Sequence, residues 1–248
     1  MSDWGWHKFE NTDGLTPADS EKSFDLGHGH PEVYAVEYKA SKGDPARNVA
    51  ATEFFRVNPH RLNLGAIGLE FKDAAGVQLS LSALTDIRQE LKLYDGVIES
   101  HFTADGQPVD VTPAALQDKD AVLYRIKTPL LKDGRAVVSI RLPYPTGKHA
   151  DAAADWTKPD RHTSRIVTGN AHHALIEHVL DSTRYFLSVS WQGDARLTEQ
   201  APHHFVLSTA GDVLSFEAEY SPVCRDAIAT APLLVFDQEL KAVIRAWN

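Results

Sequence analysis

The stretch Ile87-Arg88-Gln89-Glu90-Leu91-Lys92-Leu93-Tyr94-Asp95-Gly96, with Val97 to Thr103, Asp105-Gly106 and Gln107 to Val111 behind it, decides the fold class. Ile87, Gln89, Leu91 and Leu93 recur at every second position, so they share one face of an extended segment that ends at Tyr94-Asp95-Gly96. Asp105-Gly106 is a strong hairpin signal, because both residues tolerate the positive φ that a tight primed turn demands. The reading is a run of half-buried antiparallel strands joined by short turns.

The rhythm spreads outward from there. Val122, Tyr124 and Ile126 alternate before Lys132-Asp133-Gly134, and Val138, Ile140 and Leu142 alternate after it. Tyr185, Leu187, Val189 and Trp191 point one way, and Phe186, Ser188 and Ser190 the other. Phe205 and Leu207 lead into Ala210-Gly211-Asp212, then Leu214, Phe216, Ala218 and Tyr220 follow. At least ten strands with short connections predict an all-β domain of two large antiparallel sheets packed face to face. Gly43 to Ala51 reads as a polar loop, and Thr146 to Ser164 as a longer one.

The period changes at the end of the chain. Phe236, Leu240, Val243, Ile244 and Trp247 form one stripe of an amphipathic helix, with Thr230 and Pro232 as its start. The division expected is a sandwich over 1–229 and a linker helix over 230–248. No stop signal follows the stripe, so the helix reads as cut off before a further domain, and its apolar residues are expected to form a docking patch or to fold back on the sandwich.

Composition excludes several functions. The 248 residues carry a net charge of −9 with the basic residues scattered, so no basic face for nucleic acid is visible. No apolar run approaches the ~20 residues of a membrane span. The single cysteine, Cys224, allows no internal disulfide and reads as a buried or strand-end thiol. The opening residues lack a signal pattern, which predicts a cytoplasmic protein, or a periplasmic or secreted one if a signal was removed.

The chemistry-bearing residues are few. No nucleophile elbow or phosphate loop is present, so no catalytic residue and no cofactor are assigned. His28 and His30 could share a metal but have no third ligand, while His172-His173 and His203-His204 are adjacent and would point to opposite faces of a strand; no metal site is assigned. The loop Asp155-Trp156-Thr157-Lys158-Pro159-Asp160-Arg161-His162 is the best sugar-contacting segment. Trp156 offers a flat face, Arg161 a bidentate donor, and Asp155 and His162 further hydrogen-bonding groups. The plainer alternative is a tryptophan pinning a solvated loop. Trp4, Trp6 and Phe9 read as pins for the amino terminus.

Several segments together resemble one family: Gly5-Trp6-His7 with Asn11, the run Asn58-Pro59-His60-Arg61-Leu62-Asn63-Leu64-Gly65, the 87–96 stretch, the Ser100-to-Val111 hairpin, Pro143-Tyr144-Pro145, Asp155-Trp156, Arg161-His162-Thr163 and Ala201-Pro202-His203. They look like the amino-terminal domain of bacterial glycoside hydrolases with an (α/α)6 six-hairpin catalytic barrel, similar in architecture to maltose phosphorylases and inverting α-fucosidases. The resemblance implies a galactose-mutarotase-like supersandwich with a linker helix, a non-catalytic scaffold for the barrel, and a homodimer. It also implies loops lent to a carbohydrate site, around Asn58, His60 and Arg61 and around Asp155 to His162. Two alternatives stand beside it: a free carbohydrate-binding module, and a mutarotase-type epimerase, for which Glu177 and His178 would have to converge but lie on opposite strand faces.

Overall fold

The structure, a computed structural model, describes residues 3–35, 45–224 and 234–247. In chain order the strands are β1 (Trp6–His7), β2 (Glu21–Asp25), β3 (Pro31–Ala35), β4 (His60–Arg61), β5 (Ala66–Phe71), β6 (Thr85–Lys92), β7 (Val97–Ala104), β8 (Gln107–Ala115) and β9 (Ala121–Lys127). They continue with β10 (Ala136–Arg141), β11 (His162–Gly169), β12 (His173–Leu180), β13 (Thr183–Gln192), β14 (Ala195–Ala201), β15 (His204–Thr209) and β16 (Val213–Ser221). Two helices complete the fold, α1 (Ala46–Val57) and α2 (Phe236–Trp247).

The strands build an eight-stranded sheet, β11-β12-β13-β16-β9-β8-β7-β6, and a four-stranded sheet, β14-β15-β10-β5, with two small ribbons, β1-β4 and β2-β3. Alternation buries one face of each main sheet against the other. Ile176, Leu187, Val189, Trp191 and Phe216 from the larger sheet meet Val138, Ile140, Phe205 and Leu207 from the smaller one in a single apolar core. The predicted all-β sandwich of two antiparallel sheets is the observed one. The β7–β8 turn shows why its sequence was readable: Asp105 and Gly106 sit at φ 47° and 71°, the doubly left-handed turn that matches strand twist.

Four expectations need correction. Strand β6 is not half-buried, since Ile87 is 68% and Leu91 56% exposed. It is the edge of the larger sheet, where no described residue buries either face, so alternation there brings no burial. The presumed loop at Gly43–Ala51 is α1 from Ala46 onward, residues 43–44 lying outside the described residues. The helix buries Asn48, Ala51 and Thr52, small or polar groups that give no apolar period, and it is fixed by polar contacts: the Asn48 amide donates to the carbonyls of Asp19 and Glu21, and Arg47 pairs with Asp19. The segment after Thr146 is also not a bare loop, because Tyr144 and Asp155 form a β-bridge, residues 159–161 are a 3-10 turn and His162 opens β11. Cys224 is exposed.

Helix α2 takes the second of the two fates expected for its stripe. Phe236 and Val243 are buried, with Leu240 and Ile244 packed beside them, against Val97, Ala114, Leu116 and Leu123 of the sandwich. The Arg125 guanidinium lies 3.9 Å from the centre of the Phe236 ring and donates to Asp237 at 2.9 Å. Trp247 stays 51% exposed. Thr230 and Pro232 lie outside the described residues. Among the described residues no helix is long and apolar enough to cross a membrane.

Candidate functional site

The Asp155–His162 loop is held from both ends. Tyr144 and Asp155 exchange backbone hydrogen bonds, and the Asp155 carboxylate accepts from the Thr157 amide and hydroxyl and pairs with Lys158 at 3.2 Å. Those donors, the Thr157 hydroxyl first, hold its pKa down to about 2. A carboxyl so firmly ionised cannot serve as a general acid near neutrality. Trp156 is 42% exposed and lies under the Arg141 guanidinium, 4.9 Å from its ring centre. It is therefore no core anchor. A cleft of about 110 Å³ opens here, lined by Asp155, Trp156 and His162 together with Arg141, His203 and His204.

Beneath this cleft three histidines converge. His162 sits diagonally from His178 across the β11–β12 pair, where Ser164 is the partner of His178. His203 reaches them from the β14–β15 turn of the other sheet, at φ 62°. Nδ1 of His162 and Nε2 of His178 are 3.2 Å apart and share one hydrogen bond. His203 is satisfied on both sides: its Nε2–H donates to the Pro159 carbonyl at 2.9 Å, so its Nδ1 accepts from the Ser164 hydroxyl at 2.7 Å. All three are buried. Burial, then the neighbouring imidazoles, lowers His178 to about 3 and His162 to about 4, so both are neutral at pH 7.

Three imidazoles whose ligand atoms lie within 4.8 Å of one another resemble a metal centre. The ring planes argue otherwise. His162 and His203 are stacked at 3.6 Å with an interplanar angle of 17°, and a metal must lie near the plane of each imidazole that binds it. Two stacked planes have no such common point, so coordination by both would require one ring to rotate and His203 to surrender a hydrogen bond. The observed arrangement is a hydrogen-bonded stack joining the two sheets. His28 and His30 stand exposed in the β2–β3 turn and take no part in it.

Arg161 turns away from the cleft. Its guanidinium lies 3.4 Å from the Tyr144 hydroxyl and 3.8 Å from the Asp181 carboxylate. Tyr144 donates to Asp181 at 2.6 Å, and burial with that bond pushes its pKa up to about 12. Fully buried His7 closes the network, 3.1 Å from Asp181 and 2.8 Å from the Thr183 hydroxyl. The His7 Nε2 is buried near the Asp181 carboxylate but makes no hydrogen bond. Glu177, paired with Arg165 and Arg184, faces outward from His178 on the same strand, as alternation requires.

The Asn58–Arg61 segment divides its residues. Asn58 spends both amide atoms on the Phe9 backbone. His60 and Arg61 line a second cleft of about 470 Å³, with Trp6, Arg56 and the 148–153 loop. The Arg61 guanidinium lies 4.6 Å from the centre of the Trp6 ring. Trp4 and Phe9 do pin the terminus: Trp4 packs near Tyr185 and donates to Asp120, and Phe9 meets His7 edge-on. Trp6 does not, being 42% exposed. Arg141, His178, His203 and Lys148 carried no pairwise signal in the sequence, because sheet register and turn placement bring them in.

Comparison with known proteins bears on the fold alone. No family model matches the sequence, and no curated relative does. Among solved structures, the chain is similar to a protein described as a kojibiose phosphorylase from the human microbiome, at TM-score 0.50 and 10% identity. The match covers 73% of this chain and 27% of that one, so the chain spans about a quarter of its length. A family GH92 α-mannosidase from Bacteroides thetaiotaomicron aligns over 75% of this chain and 28% of its own, at 8% identity and TM-score 0.31. The likeness to the phosphorylase concerns the fold alone.

Proposed function

We propose that this chain is the non-catalytic β-supersandwich domain of a carbohydrate-active enzyme, scaffolding an (α/α)6 catalytic barrel and lending a loop to its sugar site. The observation that carries this is the fold likeness to a kojibiose phosphorylase, in which the matching part leaves most of that chain outside it. The Trp156 cleft supports the lent loop, since an exposed indole framed by Arg141 and Asp155 suits the apolar face and hydroxyls of a sugar. The Asp155 carboxyl, the acidic centre of that loop, is held ionised and so is unsuited to the general-acid step of glycoside hydrolysis. The epimerase alternative finds no support in His7–Asp181, because His7 is fully buried, out of a substrate's reach.

Because α2 spends its stripe on the sandwich, the barrel contact is assigned to the β6 side, where Ile87 and Leu91 are exposed and Leu93 and Tyr94 follow at 62% and 81%. Large apolar side chains gathered on one surface mark an interaction site. The test is enzymatic and genetic. Several hundred codons of paired-helix pattern after Asn248 and no turnover of aryl glycosides by the purified chain support the reading. Turnover of such substrates that is lost in Asp155→Asn overturns it.

A further inference from the structure

The outer face of the larger sheet carries a third cleft, which shares no residue with the one at Trp156. Strands β7, β8 and β9 set His101, Asp110 and Lys127 side by side in one transverse row, with Thr112 and Arg125 in the next, because residues opposed across strands share a face. Helix α2 packs on the row beyond, Val97, Ala114 and Leu123, and walls one side of the cleft with half-buried Leu240. The space enclosed is about 320 Å³, within the range of small-molecule sites.

Four polar groups in this cleft are both reachable and uncommitted. His101 donates from Nδ1 to the Asp110 carboxylate, which leaves Nε2 as an acceptor on a side chain 53% exposed. Asp95, Thr112 and Lys127 line the same space, none of them buried, and their side chains make no hydrogen bond or ion pair among the described residues. The other cations are answered, Lys92 by Glu90 and Glu99 and Arg125 by Asp237. The lining as a whole is electrically balanced, with the carboxylates of Asp95, Glu99 and Asp110 against Lys92, Arg125 and Lys127.

We infer that this cleft binds a neutral sugar, its hydroxyls bonded by Asp95, His101, Thr112 and Lys127 and a C–H face laid against Leu240. Asp95 and the His101 Nε2 accept, Lys127 donates, and Thr112 does either. A hydroxyl answers donors and acceptors alike, so one polyhydroxylated ligand satisfies all four groups. An anion would be set against Asp95 and a cation against Lys127, and an apolar ligand would leave every one of the four desolvated without a partner. The inference goes beyond the scaffold reading, since this site lies on the sandwich itself and needs no barrel.

An NMR titration of the 248-residue chain tests it with methyl glucoside, methyl galactoside and methyl mannoside, with the uronate and amino-sugar counterparts of the best binder, and with N-acetylglycinamide as a neutral amide. The expected result is that at least one glycoside binds, roughly fivefold more tightly than its charged counterparts and the amide, and that it shifts the His101 ring resonances. Thr112→Val, which removes the hydroxyl at constant shape, and Lys127→Met are each expected to weaken that binding roughly fivefold, the loss of one hydrogen bond. Neither position is buried, so both variants fold. Trp156→Ala is expected to leave the binding unchanged. No binding by any of the three glycosides overturns the inference, as does equal binding of a charged sugar or of the amide. Binding that Trp156→Ala abolishes and Thr112→Val leaves intact also overturns it, while supporting the lent-loop reading.

Discussion

The imidazoles of His162 and His203 lie face to face at 3.6 Å, one at the start of β11 in the larger sheet and the other in the β14–β15 turn of the smaller. Burial makes His162, and His178 bonded to it, hard to protonate, so this contact between the sheets is sensitive to pH.

Its sign follows from the lowered pKa values. In the unfolded chain a histidine takes up its proton near pH 6.5, whereas folded His162 and His178 do so only near 4 and 3. Between those limits the unfolded state binds more protons, so stability falls as pH drops from 6.5 toward about 4 and is fully present above 6.5. The expected loss is on the order of a few kcal/mol, and it precedes the loss from carboxylates with depressed pKa values such as Asp155, which comes below about pH 4. Urea unfolding from pH 7.5 to 4 measures it, and His178→Gln should flatten the slope. A flat profile in the unmodified protein would refute the assignment.

Trp156 and Trp191 form a contrasting pair. Trp191 is 3% exposed and donates to the Ala171 carbonyl, so Trp191→Ala should cost about 3–5 kcal/mol. Trp156→Ala, at an exposed site, should cost less than about 1 kcal/mol while weakening sugar contact. Equal stability losses in chemical denaturation would return Trp156 to an anchoring role.

Gly96 holds the other end of α2. It sits at φ 65°, and a methyl group built on it would overlap the Trp247 indole. Gly96→Ala should therefore lift the helix end and cost about 1–2 kcal/mol, from the left-handed backbone and the clash together. Tryptophan fluorescence should report a more solvated Trp247. In a Trp247→Ala background the same substitution should cost less, and an unchanged cost would show that only the backbone matters.

Strand β6 carries the association prediction. Leu91→Lys should change the stability of the isolated chain by less than about 0.5 kcal/mol, because its side chain already faces solvent. If the proposed barrel partner docks here, sedimentation with it should show weakened binding. A large stability loss would mean that the face is covered by the chain itself.

Most of the sandwich was legible, and the reason is local. Asp105-Gly106 and Lys132-Asp133-Gly134 punctuate strands whose alternation is enforced by one buried face, so position along the chain almost suffices. Helix α1 was illegible because its contacts are Asn48 to the carbonyls of Asp19 and Glu21 and a pair between Arg47 and Asp19, interactions with no period. Strand β6 misled for the opposite reason: its period is clean but, among the described residues, no second layer lies over it. In the site, His162 was within reach of sequence reasoning, while His178 and His203 were not. Their meeting depends on Ser164 pairing with His178 and on a turn from the other sheet.

The position of β16 has a consequence in time. In the eight-stranded sheet, β6 to β9 form one meander and β11 to β13 another, each from neighbouring segments, and β16 lies between β9 and β13 as the joining strand. Neighbouring hairpins close early, whereas pairings across long sequence separations wait on chain entropy. On the ribosome both meanders can form before residues 213–221 emerge, yet each then presents a bare edge at β9 or β13. A nascent chain halted before Val213 would carry two adhesive ends, and β16, which follows both meanders in the chain, is the strand that closes them.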